Sequence, residues 1–280
     1  MAVIIAGVLN LTPDSFSDGG GLSTVDAAVE AAVAMVDAGA QWIDVGGEST
    51  RPRSQPVSQD EEIGRVVPVI RALAVRLAGR AQLSVDTYKS GTAKAALDAG
   101  ASIVNDVSGG LLDASMLDVC ARAGATVILG HLRGRPATMM GNVHFDDVVV
   151  EVGAELGERV AAARVAGCRT IWADPGIGFG KSLPHNLALL GNLEPLCEVL
   201  AVPVMVGVSR KRFLGDLTGK SVEGRTFATA GAVAAAVLGG AAAVRVHDVA
   251  PMADVVKVAE AIASSRGTLL STRMRGHGST

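Results

Sequence analysis

Aromatic residues are scarce in this chain of 280 residues: one Tyr, two Trp and five Phe, 3% in all. So sparse a set excludes a surface of repeated stacking platforms for single-stranded nucleic acid. An excess of charge of one sign is lacking too. With 25 Lys and Arg against 28 Asp and Glu the formal net charge is −3, so no global basic field draws nucleic acid or an anionic membrane, and neither is expected as a partner. Any anion site must be local. Only three cysteines occur, Cys120, Cys168 and Cys197, with no C-x-x-C or metal-ligand spacing; this points to core residues in a reducing compartment, and a cytoplasmic location is expected. Long apolar runs are also missing. Met1 to Leu11 is apolar for barely ten residues, has no basic leader and runs into Thr12, Pro13 and Asp14, so a buried strand is expected there rather than a signal peptide or membrane span.

What the chain does have is apolar material and glycine. Hydrophobic residues make up 49% and charged residues 19%, enough to build a core and to exclude disorder. The 34 glycines are about 12% of the chain against a usual ~7%. Short β-branched runs occur at Val3 to Leu11, Gln41 to Val45, Gln82 to Thr87, Ser102 to Val107, Thr126 to His131, Thr170 to Asp174, Pro203 to Val208 and Ala243 to Val249. They read as strands. Each is followed by an Ala-, Val- and Leu-rich stretch with helical spacing: Val25 to Ala38, Glu61 to Leu77, Gly91 to Ala99, Ala114 to Ala123, Asp146 to Ala166, Asn186 to Leu200, Arg225 to Leu238 and Met252 to Ser264. Gly39, Gly100 and Gly124 follow three of these stretches as helix C-caps should.

Eight βα units without a linker argue for an α/β protein built as a single (β/α)8 TIM barrel over residues 1–265, with residues 266–280 as a disordered tail. A doubly wound sheet has the same strand count. The barrel is favoured because every run ends in polar residues, which a barrel gathers on the carboxyl-terminal rim where active sites lie. Those ends include Asn10, Glu48 to Arg51, Asp86, Asn105, His131, Asp174, Ser209 to Lys211, and Arg245 with His247 and Asp248. Two apparent motifs fail on inspection. Pro175 to Ser182 resembles a phosphate loop but has Pro175 where its first glycine belongs, and Gly176, Gly178 and Gly180 miss the dinucleotide spacing.

The segments Gly7 to Gly20, Asp44 to Pro52, Ser84 to Thr87, Asn105 to Asp106, Asp174 to Lys181, Ser209 to Lys211 and Arg245 to Asp248 together resemble dihydropteroate synthases in order and spacing across nearly the whole chain. The resemblance implies a (β/α)8 transferase of folate synthesis, joining p-aminobenzoate to 6-hydroxymethyl-7,8-dihydropterin diphosphate with release of pyrophosphate.

It also implies residue roles. Asp86, Asn105, Asp174 and Lys211 would hold the pterin; Asn10, Thr50, Arg51, Arg245 and His247 the diphosphate; Phe16, Thr50, Pro52, Phe179, Ser209 and Arg210 the p-aminobenzoate. Asp18, Lys211 and Asp174 are the expected catalytic residues, and Asn10 the expected ligand of Mg2+, a hard cation that takes most of its oxygens from phosphate. A carboxylate such as Asp174 suits the aminopyrimidinone edge of a pterin because it accepts two N–H bonds at once. Phe179, between glycines, reads as an exposed apolar platform, and Thr12 to Gly20 and Ser49 to Ser54 as loops that close over the diphosphate. The expected chemistry is dissociative C–O cleavage followed by attack of the aniline nitrogen.

Two positions depart from the family pattern: Arg53 stands where glycine is frequent, and Gly130 where methionine is usual, removing a side chain expected to pack on the pterin. A homodimer is expected, with Thr229 to Leu238 as a candidate interface, and so is competition by sulfonamides. The alternatives are a methyltetrahydrofolate-corrinoid methyltransferase-like barrel, which has no use for an anion pocket, and a non-catalytic pterin-binding paralogue.

Overall fold

A computed structural model of the chain describes residues 2–11, 24–50, 54–141 and 143–275. Eight parallel strands form one sheet: β1 (Ile4–Asn10), β2 (Trp42–Gly46), β3 (Gln82–Asp86), β4 (Ile103–Asp106), β5 (Thr126–Gly130), β6 (Thr170–Asp174), β7 (Met205–Gly207) and β8 (Ala243–Val246). Their order is β6-β5-β4-β3-β2-β1-β8-β7. A parallel bridge between Ala173 and Val204 joins its two edges, so the sheet closes as the sequence expected.

The helices are α1 (Val25–Asp37), α2 (Gln59–Leu77), α3 (Ser90–Asp98), α4 (Met116–Ala123), α5 (Val148–Ala166), α6 (Leu183–Gly191), α7 (Leu193–Leu200), α8 (Arg212–Thr218), α9 (Thr226–Leu238) and α10 (Val249–Arg275). Local chemistry fixes their ends. Asp147 caps α5 by accepting from the N–H groups of Val149 and Val150, and Ser182 and His185 form a capping box at α6, each satisfying donors that have no partner within the helix. Gly124 ends α4 at φ 63°, a left-handed conformation that a side chain disfavours.

Helix starts and ends otherwise match expectation to within a few residues, with three differences. The stretch Asn186 to Leu200 is two helices, because Gly191 and Asn192 break it between α6 and α7. Helix α8 was not foreseen; seven residues are too few to show a helical period. Helix α10 runs to Arg275, through most of the segment expected as a disordered tail; its one proline, Pro251, lies in its first turn, and its Ala, Leu, Arg and Met residues favour helix. Residues 276–280 of that tail lie outside the described residues.

The main apolar core lies between the outer face of the sheet and the helices. The barrel interior begins with a separate plug of Ala6, Trp42, Ile103, Ile128, Trp172, Met205 and Ala243, in which the two indoles meet edge to face at 4.9 Å. Side chains alternate across a strand. Two residues further on, the inward positions therefore become Val8, Asp44, Asn105, Gly130, Asp174, Gly207 and Arg245, joined from β3 by Ser84 and Asp86. The barrel is dry and aromatic at its base and polar above. Among the described residues no helix is long and apolar enough to cross a membrane.

Candidate active site

The polar layer is organised around Arg245. Its Nε donates to Asp44 Oδ2 at 2.5 Å and its Nη2 to Asp86 Oδ2 at 2.7 Å, while Asn105 Nδ2 donates to the same Asp44 oxygen at 3.0 Å. Asp44 is buried within β2, and its other oxygen, with Ser84 Oγ beside it in register, is a buried polar atom without a hydrogen-bond partner among the described residues. Burial raises the pKa of Asp86 to about 7, opposed by Arg245 and reinforced by Asp44. Burial works against the charge of Arg245, but the carboxylates of Asp44 and Asp86 outweigh it and hold the guanidinium firmly protonated.

Asp174 ends β6 and faces the same chamber. Its Oδ1 accepts from Gly176 N at 2.7 Å, and burial moves its pKa upward. Lys211 is brought over from the turn after β7. Its Nζ stands 3.8 Å above the Phe179 ring, and burial, then the neighbouring Arg245, lower its pKa to about 8. Phe179 is half-buried rather than exposed; it packs with Tyr88 on a cluster of Val107, Leu132 and Met139. The expected platform is thus an apolar wall with a cation on one face.

Lys181 has the opposite role from the phosphate-binding lysine that its glycine-rich setting suggests. It is 3% exposed, and its Nζ donates inward to Gly176 O at 3.1 Å, to Phe179 O at 3.1 Å and to His131 Nδ1 at 2.8 Å. The loop wraps its own cation. Burial brings the Lys181 pKa down to about 7, and burial with the adjoining ammonium takes His131 to about 3. His131 Nε2 is 3.0 Å from Glu155 Oε2, so the neutral ring accepts from Lys181 and donates to Glu155. A Cβ at Gly176, where φ is +66°, would lie 2.0 Å from His131 O; only glycine lets the loop sit this close to β5.

His247 is neutral as well: burial, Arg245 and Arg210 lower its pKa to about 3. Its Nδ1 is 3.0 Å from Ser209 Oγ, which also accepts from the His247 backbone N–H. At the expected diphosphate site it therefore offers a hydrogen bond rather than a positive charge. Ser209, expected at the carboxylate of p-aminobenzoate, is buried and engaged with His247. Arg210 sits on the outer rim, forked onto Asp248 at 3.1 and 2.6 Å. Asn10 ends β1 half-buried, close to Gly46 and Asp86, and Thr50 is half-buried in the loop after β2. Phe16, Asp18, Arg51, Pro52 and Arg53 lie outside the described residues.

The foot of that loop is pinned by a cluster that sequence reasoning did not assign. Glu48 accepts from Tyr88 Oη at 2.5 Å and from Lys89, and Lys89 donates also to buried Glu62 at 2.9 Å. Asp44 was likewise missed. Its signal was present: a charged residue midway along an otherwise apolar strand, in phase with Trp42. Gly130 has a different meaning from the one expected. A Cβ there would lie 2.6 Å from Val107 Cα, so the neighbouring strand end fills the place of the absent side chain. Helix α9 turns Thr229, Ala232, Val233, Ala236 and Val237 into the chain's own core and leaves Phe227, Gly231 and Ala235 on its exposed face. Among the described residues no three His, Cys, Asp or Glu side chains gather as a metal cage.

Residues 6–247 match the family model described as pterin binding enzyme. The chain is 45% identical to a dihydropteroate synthase of Streptococcus pyogenes, over 91% of this chain and 93% of that one. It is 42% identical to a mitochondrial folate synthesis bifunctional protein of Arabidopsis thaliana, over 94% of this chain, and spans about half the length of that relative. Two solved structures are similar. A Yersinia pestis dihydropteroate synthase in a sulfonamide drug complex superposes with a TM-score of 0.89 at 38% identity, covering 94% of this chain and 95% of that one. A Xanthomonas albilineans dihydropteroate synthase with 4-aminobenzoic acid has a TM-score of 0.86 at 43% identity, with 93% of each chain covered.

Proposed function

From the premise that this chain belongs to the dihydropteroate synthases of the pterin binding enzyme family, we propose that it condenses p-aminobenzoate with 6-hydroxymethyl-7,8-dihydropterin diphosphate to give 7,8-dihydropteroate and pyrophosphate. The observation that carries this reading is the polar chamber above the aromatic plug, where Asp86, Asn105, Asp174 and Lys211 converge around Arg245. A pterin edge needs paired acceptors and donors in a half-dry pocket. Asp174 keeps Oδ2 for that edge, since its Oδ1 is taken by Gly176 N. Lys211 and Arg245 supply positive charge where the diphosphate leaves.

In the proposed step the C–O bond breaks with its electron pair going to the diphosphate, leaving a resonance-stabilised pterin cation. The aniline nitrogen then bonds to that carbon and gives up a proton to solvent. No nucleophilic side chain is required. Asp18 would stabilise the cation, and Arg51, Thr50 and His247 would hold the diphosphate. Phe16, Pro52, Phe179, Ser209 and Arg210 would surround the p-aminobenzoate, with Ser209 first releasing His247. Mg2+ fits Asn10 as a single amide oxygen offered to a cation that arrives on phosphate, not as a protein-built cage; bound there, it would neutralise charge on the leaving group. A cytoplasmic homodimer is part of the same reading.

The test is product formation from both substrates with Mg2+, in the parent and in Asp174→Asn and Lys211→Ala variants. Dihydropteroate from the parent and its loss in both variants is the expected result. Full turnover in the variants would sink the residue assignments. Pyrophosphate release without p-aminobenzoate is expected for the dissociative order.

A further inference from the structure

Glycine is an unfavourable residue for a strand interior, because it loses the most backbone freedom on folding and packs nothing against its neighbours. Among the described residues four glycines lie in strands: Gly7 in β1, Gly46 in β2, Gly130 in β5 and Gly207 in β7. Two are explained by crowding. A Cβ at Gly7 would come within 2.9 Å of Met35 Sδ, and one at Gly130 within 2.6 Å of Val107 Cα. Crowding does not explain Gly46 or Gly207. Neither has a positive φ, and a methyl group would meet nothing nearer than 3.5 Å at Gly46 or 3.9 Å at Gly207. The fold has room for alanine at both places and uses none there.

What the two positions share is the chamber. Gly207 is paired in register with Arg245, and the atoms nearest its Cβ direction are Arg245 Cβ and Asp174 Oδ2, each at 3.9 Å. Gly46 is paired with Asn10 and Asp86, and meets Asn10 Oδ1 at 3.5 Å and Asp86 Cβ at 3.6 Å. Each glycine therefore separates two polar side chains and faces the space between them. A ring nitrogen bonded to Asp174 Oδ2 sits about 2.9 Å from that oxygen. A methyl group 3.9 Å from the same oxygen takes up part of the volume such a ring must enter.

We propose that Gly207, with Gly46 on the opposite side, determines specificity by keeping the chamber floor open to the edge of a planar bicyclic heterocycle, at the expense of strand stability. The proposal rests on the pterin reading above and names the residues that set its steric limit.

The experiment compares the parent with Gly207→Ala, Gly46→Ala and a control, Gly64→Ala, at an exposed helical glycine with nothing within 4 Å of its Cβ direction. Binding of 6-hydroxymethylpterin is followed by titration calorimetry, and thermal unfolding by circular dichroism. All three variants should melt at or above the parent temperature, because alanine restricts the unfolded chain. Gly207→Ala should bind the pterin roughly tenfold or more weakly, the usual scale for one misplaced methyl group in a fitted pocket. Its KM for p-aminobenzoate should be unchanged. Gly46→Ala should weaken the pterin in the same way and Gly64→Ala should not. Parent-like pterin affinity in Gly207→Ala would overturn the proposal, and so would a lowered melting temperature, which would mark the glycine as structural. A parent that binds no pterin would instead overturn the functional reading beneath it.

Discussion

Asp44 Oδ2 lies 2.5 Å from Arg245 Nε, an ion pair across the barrel interior from β2 to β8 whose carboxylate is buried. Removing one partner of such a pair leaves an uncompensated buried charge. Asp44→Ala should therefore lose about 3–5 kcal/mol of stability, measurable by urea denaturation. In Asp44→Asn the shape is kept but the charge is gone, so Arg245 serves Asp86 alone and the Asp86 pKa falls.

That shift is readable in a pH profile. If the pterin is held by ionised Asp86 and protonated Lys211, kcat/KM for the pterin substrate is limited below by a group raised to about 7 and above by one lowered to about 8. Activity should peak between those values and fall on either side. Asp44→Asn should move the acid limb downward, since Asp44 is one of the charges that raises Asp86. An acid limb that stays in place would remove Asp86 from the assignment.

Lys181 holds two loop carbonyls and an imidazole nitrogen, so Lys181→Met leaves three acceptors without their donor. A loss of roughly 1–3 kcal/mol is expected. Because the loop carries Phe179, KM for p-aminobenzoate should rise while pterin affinity holds. Equilibrium unfolding and steady-state kinetics together check both halves.

Gly130→Ala forces a methyl group against the Val107 backbone and should cost about 1–3 kcal/mol. Denaturant midpoints should thus move in opposite directions for Gly130→Ala and Gly207→Ala, although both are glycine-to-alanine changes inside strands.

The barrel was legible in the sequence because its signal is repetitive: eight apolar runs, each closed by a polar residue, carry the fold even when individual ends slip. Thr170 to Asp174 was placed to the residue, whereas β7 shrank to Met205–Gly207 because Pro203 has no N–H to add to the ladder. The chamber residues Asp86, Asn105, Asp174 and Lys211 were legible from their motifs. Their partners were not. That Ser209 is occupied by His247, that Arg210 turns out to Asp248 and that Lys181 faces its own loop are consequences of side-chain direction, which spacing along a chain does not encode. Asp44 lay in plain sight within Trp42, Asp44 and Gly46, but its importance depends on Arg245, two hundred residues away in sequence.

Both tryptophans of the chain belong to the plug at the base of the barrel, 4.9 Å apart with their planes at 71°. Two indoles so close and so fixed couple as chromophores, so the tryptophan part of the near-ultraviolet dichroism and emission originates in one dry layer. That layer joins residues from seven of the eight strands. The tryptophan signal is thus a gauge of barrel closure.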